Sequence, residues 1–225
     1  MTNTSNQEDI YELDLFKNSS HVRIFELIHR NAKVLDVGCA TGFLGDKLIK
    51  EKNCEVTGIE VNLNWALEAR KNYRRVYAED VESSCSEISE IEGYFDYIVY
   101  GDVLEHTKNP EIVLNRLNVF ASDSGMVLIS LPNIANIFMR LNLLVGRFEY
   151  KEKGTLDRTH LRFYTRKTGK EMIESTGLKV VKVIPIGKVV RFVRIMPTLF
   201  AYQFLFVCKR KTQSKIRKET PIQEQ

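Results

Sequence analysis

Three acids close three successive apolar runs in this chain. Asp36 lies inside Val34-Leu35-Asp36-Val37, Glu60 ends Val56-Thr57-Gly58-Ile59-Glu60, and Asp80 ends Tyr77-Ala78-Glu79-Asp80. The first run breaks into Gly38-Cys39-Ala40-Thr41-Gly42, and a helical pattern begins at once with Phe43, Leu44, Leu48 and Ile49. A strand ending in a glycine turn that opens a helix presents backbone N–H groups to a nucleotide. Glu60, 24 residues after Asp36, is placed to accept hydrogen bonds from both hydroxyls of a ribose. Asp80 is placed to accept from an adenine amino group while the Val81 amide reads the ring; its alternative is a helix cap.

The glycine spacing narrows the nucleotide. A phosphate loop of the ATPase kind needs Lys and Ser/Thr directly after its last glycine, and Phe43 follows Gly42. The dinucleotide fingerprint needs a middle glycine so that backbone can approach a pyrophosphate, and Ala40 stands there. Asp36, just before the first glycine, would repel a pyrophosphate but attract an ammonium group. NAD is therefore disfavoured, though not removed.

A second constellation suits proton transfer. The stretch 157–164 packs Asp157, Arg158, His160, Arg162, Phe163 and Tyr164 into eight residues. Asp157 could orient His160, fixing its tautomer and raising its basicity. Arg162, with Tyr164 beside it, could grip an anionic substrate group. The plainer alternative is a turn that Asp157 caps and in which Arg162 pairs with an acid. His106, in "GDVLEHTKNP", is a second candidate base; alternatively Glu105 and His106 shape the pocket or open the next helix. His21 and His29 read as surface residues of an amphipathic helix whose apolar positions are 22, 24, 25, 27 and 28.

These residues need a scaffold. Strands are expected over 33–38, 54–60, 74–80, 94–102 and 125–132, with helices over 43–51, 63–72, 83–90 and 109–121. Alternation with continuous Val/Ile/Leu runs predicts a parallel sheet covered on both faces. A helix-bearing insertion (134–165), a helix over 166–176 and two closing strands (177–186 and 201–211) follow. The apolar insertion residues Ile134, Ile137, Phe138, Leu141, Leu144 and Val145 suggest a lid over the site, or else a dimer or membrane-facing surface. Residues 188–200 read as loop before the last core strand; alternatively Arg191 and Arg194, set among apolar residues before a basic tail, would suit a lipid-linked acceptor.

Bulk properties set limits. The 225 residues carry 33 Lys/Arg and 29 Asp/Glu, and the excess of four lies in the tail from Cys208 onward, so the body is neutral. That disfavours nucleic acid as partner and leaves the tail as a solvated end or a peripheral membrane contact. Four scattered cysteines without a C-x-x-C pair argue against a metal site and a disulfide framework. With neither signal peptide nor membrane span expected, the cytoplasm is the default location. The expected organisation is a loose lead-in (1–17), one catalytic domain (18–208) and a basic tail (209–225).

"VLDVGCATG", "VTGIE", "AED" and "FDYIVYGDVLEHTKNP", followed by "LNVFASDSGMVLISLPN", resemble in order the landmarks of the class I S-adenosylmethionine-dependent methyltransferases, over about residues 30–185. The resemblance implies an α/β, Rossmann-like, doubly wound, seven-stranded and mostly parallel sheet with a C-terminal antiparallel hairpin. It implies S-adenosyl-L-methionine as cofactor and S-adenosyl-L-homocysteine as product. Cofactor contacts would fall at Asp36, Gly38, Cys39, Ala40, Gly42, Glu60, Val61, Asp80 and Val81, with Tyr100, Gly101 and Asp102 beside the methionine portion. Ala40 stands in place of the family's usual glycine.

"D-x-T-H-x-R-F-Y-T" after "L-x-G-x-F" resembles a subgroup of enzymes in cell-surface glycan and lipid-linked saccharide assembly. A related histidine segment occurs in the O-methyltransferases of ubiquinone synthesis. Both imply an oxygen acceptor: a hydroxyl of a saccharide, glycan precursor or other small molecule, or alternatively a quinone-type phenol. An NAD-dependent oxidoreductase and a non-catalytic cofactor-binding protein, such as a partner subunit, are the remaining expectations for function, and a homodimer is the expected assembly.

Overall fold

The computed structural model describes residues 19–83, 91, 93–187 and 190–211. The expected lead-in, all but the first residue of the helix over 83–90, and most of the tail lie outside the described residues. Helix α1 (Ser20–Leu27) precedes β1 (Lys33–Val37), α2 (Phe43–Lys52), β2 (Glu55–Ile59), α3 (Leu63–Ala69), β3 (Arg75–Tyr77) and β4 (Phe95–Gly101). Then come α4 (Pro110–Leu117), β5 (Ala121–Pro132), α5 (Ile137–Leu144), α6 (Arg166–Ser175), β6 (Leu178–Ile186), α7 (Val190–Ile195), α8 (Pro197–Phe200) and β7 (Gln203–Arg210). One sheet holds all seven strands in the order β3-β2-β1-β4-β5-β7-β6. The first five are parallel, and β7 runs antiparallel to both β5 and β6.

The sheet exists because its strands are apolar on both sides. Side chains alternate across a strand, so neighbours divide between two cores. Leu35, Ile98, Ile129 and Phe206 enter one core, and Val34, Val99, Leu128 and Leu205 the other. Helix α1 closes the second core with Ile24 and Ile28, both buried. Each such side chain contributes roughly 1.5–3 kcal/mol on burial.

Several element limits differ from expectation. β5 begins at Ala121 rather than 125, because Ala121 pairs with Phe95 before a register shift. The helix expected over 109–121 ends at Leu117 and tightens into a 3₁₀ turn, Asn118–Phe120. The stretch read as loop, 188–200, holds two short helices, and Pro197 opens the second at the position where its missing N–H costs nothing. Among the described residues no helix is long and apolar enough to cross a membrane.

Candidate active site

The glycine turn is held by the strand beside it. Gly38 and Cys39 both donate their N–H to the Ile59 carbonyl (2.8 and 3.1 Å). Gly38 (φ +67°) and Gly42 (φ +86°) occupy the left-handed region, where a side chain is strained. A Cβ on Gly38 would also lie 2.5 Å from a Val103 methyl, and one on Gly42 would lie 2.9 Å from Ala69. Ala40 takes φ +47° without being glycine. Its N–H donates to Glu60 Oε2 (2.9 Å), while Asn62 N–H donates to Oε1 (2.8 Å). Glu60 is thus buried and oriented by backbone, and each oxygen keeps lone-pair capacity for ribose hydroxyls.

Asp36 is buried, and its Oδ2 accepts from the Tyr73 hydroxyl (2.7 Å), which itself accepts from Gly45 N–H (3.0 Å) at the start of α2. Burial raises its pKa to about 7, nearby Glu60 adds to the rise, and the Tyr73 bond opposes it. Through Oδ2 Asp36 anchors Tyr73 beneath the turn. Cys39 is likewise buried, with its thiol pushed well up by burial and then by Asp36 and Glu60.

Asp80 holds a turn: Oδ1 accepts from Glu82 N–H (2.9 Å) and its carbonyl from Ser83 N–H (3.1 Å); the helix that it would alternatively cap lies, but for its start, outside the described residues. Val81 packs partly on the core, and its carbonyl accepts from Arg116. Val61 is exposed. Tyr100 lies at the end of β4 with its ring fully buried in the core, so its backbone is what the strand end presents.

Asp102, directly after β4 and expected by resemblance beside the methionine portion, is also the hub of a side-chain network. It sits at φ +59°. Its N–H donates to Ser130 Oγ (2.9 Å), and that hydroxyl returns a bond to Oδ1 (2.7 Å). Gln203 Nε2 also donates to Oδ1, and the Ser20 hydroxyl reaches Oδ2 (3.3 Å). His21, read as a surface residue, lies against this hub. Its Nε2 is 3.2 Å from where a Cβ on Gly101 would be, and its buried Nδ1 has no partner among the described residues. Burial lowers its pKa, against the pull of Asp102. No sequence spacing links residues 20, 21, 102, 130 and 203; only the strand order does.

Beyond β4, the 3₁₀ turn Leu104–His106 carries the second constellation. The Glu105 carbonyl accepts from Leu161 N–H (2.8 Å) and Arg162 N–H (3.0 Å), which pins the segment after β5 onto this turn. His106 and His160 then stack edge-on, centroids 4.7 Å apart. His160 Nδ1 bonds the Thr155 carbonyl (3.1 Å), and His106 Nδ1 bonds the Thr159 carbonyl (3.2 Å). A carbonyl only accepts, so in each neutral ring Nδ1 carries the proton and Nε2 the basic lone pair. Burial, then the neighbouring His160, lower the pKa of His106. The Glu105 carboxyl is buried with neither oxygen partnered among the described residues, and burial followed by Asp102 raises its pKa strongly. One atom each from Glu105, His106 and His160 fall within 4.8 Å of one another, a donor set able to hold a divalent cation.

One expectation for this segment is corrected. Asp157 does not orient His160; its Oδ1 accepts from Thr159 N–H (2.9 Å) and the Thr159 hydroxyl (2.6 Å). Slight burial works against its ionisation, but the Thr159 bonds and the imidazoles hold its pKa low. The Thr155 carbonyl takes over the orienting role. Arg162 is exposed and donates through one Nη to the Lys108 carbonyl, tying two loops together. Tyr164 is buried in the core.

The sequence model of the family described as "Methyltransferase domain" matches residues 12–183. The ubiquinone biosynthesis O-methyltransferase of Neisseria meningitidis serogroup C is 27% identical over 135 residues, 57% of this chain and 56% of that protein. The mitochondrial ubiquinone biosynthesis O-methyltransferase of Saccharomyces cerevisiae is 28% identical over 124 residues, 49% of this chain and 39% of that protein. The chain spans about half the length of the curated relatives it matches. Two solved structures share the fold. Magnesium protoporphyrin IX methyltransferase from Synechocystis PCC 6803, with bound SAH, has a TM-score of 0.60 at 13% identity, covering 93% of this chain and 89% of that one. A TehB-like SAM-dependent methyltransferase from Corynebacterium glutamicum has a TM-score of 0.58 at 18% identity, covering 93% of this chain and 100% of that one.

Proposed function

This chain belongs to the methyltransferase-domain family of S-adenosylmethionine-dependent enzymes, and from that premise we propose that it transfers the cofactor's methyl group to a hydroxyl oxygen of a saccharide or other small molecule. Methyl transfer is a displacement at a sulfonium carbon: the cofactor supplies the electrophile, and the protein aligns the acceptor and removes its proton. The observation that supports an oxygen acceptor is the tautomer of His160. With Nδ1 committed to the Thr155 carbonyl, Nε2 is left as the proton acceptor a hydroxyl needs. Glu60 would take the ribose hydroxyls, and the Gly38–Gly42 turn would line the methionine portion with Asp102. In the companion experiment, His160→Ala lowers kcat on a hydroxyl acceptor by about 10²–10⁴-fold while the affinity for S-adenosylhomocysteine stays within twofold. An unchanged kcat would remove His160 as the base.

Glu105, His106 and His160 support a second version of the same chemistry, in which a divalent cation holds the acceptor oxygen and lowers its pKa. Chelation distinguishes the two: activity lost with EDTA and restored by added Mg²⁺ favours the cation, and activity indifferent to EDTA favours the free imidazole. The names of the curated relatives make a quinone-type phenol the alternative acceptor, and the apolar residues Phe138, Leu141 and Leu144 exposed on α5 favour it. The buried free thiols of Cys39, Cys54 and Cys208 suit a reducing cytoplasm.

A further inference from the structure

A cavity of about 400 Å³ opens between α5 and the segment 147–156. That volume lies in the range of small-molecule sites. Its floor is apolar: Met139 and Leu156 are both buried. Its rim is charged: Arg147, Lys151 and Lys153 line it, against the single acid Glu149.

The rim is built rather than trailing. Arg147 N–H donates to the Asn142 carbonyl (2.8 Å) at the end of α5. Lys151 N–H donates to the Leu156 carbonyl (2.8 Å), and Arg158 N–H returns to the Lys151 carbonyl (3.0 Å), so the backbone that carries the cations is closed on itself. Two lining residues lead to the site already described. Thr155 holds His160 Nδ1 through its carbonyl. Tyr202 is followed directly by Gln203, which bonds Asp102; burial, and after it the Asp102 carboxylate, raise the pKa of its phenol. The lining thus includes one residue that bonds the candidate base and one that precedes a partner of Asp102.

We propose that this cavity binds the methyl acceptor, and that the acceptor is a hydroxyl compound bearing an anionic group, phosphoryl or carboxylate, held by Arg147 and Lys151. The proposal rests on the O-methyl reading above and narrows its substrate class. A guanidinium and an ammonium flanking one opening match an anion on a polar ligand. An uncharged phenol brings no counter-charge, and Glu149, the one acid of the lining, cannot offset Arg147, Lys151 and Lys153 together.

The test reads binding, so it can fail while the His160 experiment succeeds, and the reverse. Glucose, glucose 1-phosphate, glucuronate and catechol are titrated calorimetrically into the full chain saturated with S-adenosylhomocysteine. Glucose 1-phosphate or glucuronate is expected to bind at least tenfold more tightly than glucose, and the better of the two identifies the anionic group. The exposed double variant Arg147→Glu/Lys151→Glu is expected to abolish that advantage while leaving the affinity for S-adenosylhomocysteine unchanged. The proposal is overturned if neither charged sugar outperforms glucose, if catechol binds as well as they do, or if the advantage survives the charge reversal.

Discussion

Asp36 shows how a single residue can carry a structural tie that its sequence position does not announce. Its position before Gly38 marks the turn correctly, but its carboxylate is turned toward Tyr73, 37 residues away, and that partnership has no sequence signature. The burial has a measurable consequence. A carboxyl whose folded pKa is about 7 holds its proton more tightly in the native than in the unfolded chain. Its contribution is therefore full below the unfolded value near pH 4 and is lost as pH rises through 7, on the order of a few kcal/mol. Glu105, also raised by burial, acts in the same direction. Thermal melts of wild type and Asp36→Asn between pH 4.5 and 8 should show the wild type losing stability relative to the variant as pH rises. Parallel curves would contradict a buried, proton-holding Asp36. The histidines were legible as chemistry. Their orientation was not, because main-chain carbonyls supply it and any residue has one.

At the scale of the element, the glycine turn shows what spacing does specify. Gly38 is required twice, by its φ and by the 2.5 Å approach of Val103. Gly38→Ala should cost about 1–3 kcal/mol in chemical denaturation and weaken cofactor binding at least tenfold, since the loop must move to clear the methyl. A variant with wild-type stability and affinity would mean that the turn relaxes freely. Strand–helix alternation was equally legible from β1 to β5, because buried parallel strands are written as continuous apolar runs. Elements that depend on long-range pairing were not. The early start of β5 follows from Phe95, and α7 and α8 occupy a stretch whose mixed arginines and apolar residues fit no single period.

Across the whole molecule, function follows from strand order. The order turns between β1 and β4, and ligands of open α/β sheets lie beyond the carboxyl ends at such a point. Gly38, Glu60 and Asp102 follow the ends of β1, β2 and β4 respectively. The antiparallel β7 brings Gln203 to Asp102 across 101 residues, and α1 brings Ser20 across 82. Those contacts explain why Asp102 could be expected only by resemblance, and His21 not at all. A ligand that bridges these ends binds the folded chain alone and stabilises it by mass action.

The central claim is that this sheet edge binds S-adenosylmethionine through Glu60 and the glycine turn. It is tested most directly by calorimetric titration of S-adenosylhomocysteine and of NAD into the full chain and into Glu60→Ala. Saturable binding of S-adenosylhomocysteine, weakened at least tenfold in the variant, with no heat from NAD, is the predicted result. Binding of NAD with none of S-adenosylhomocysteine, or an affinity for the latter that ignores Glu60, would contradict it.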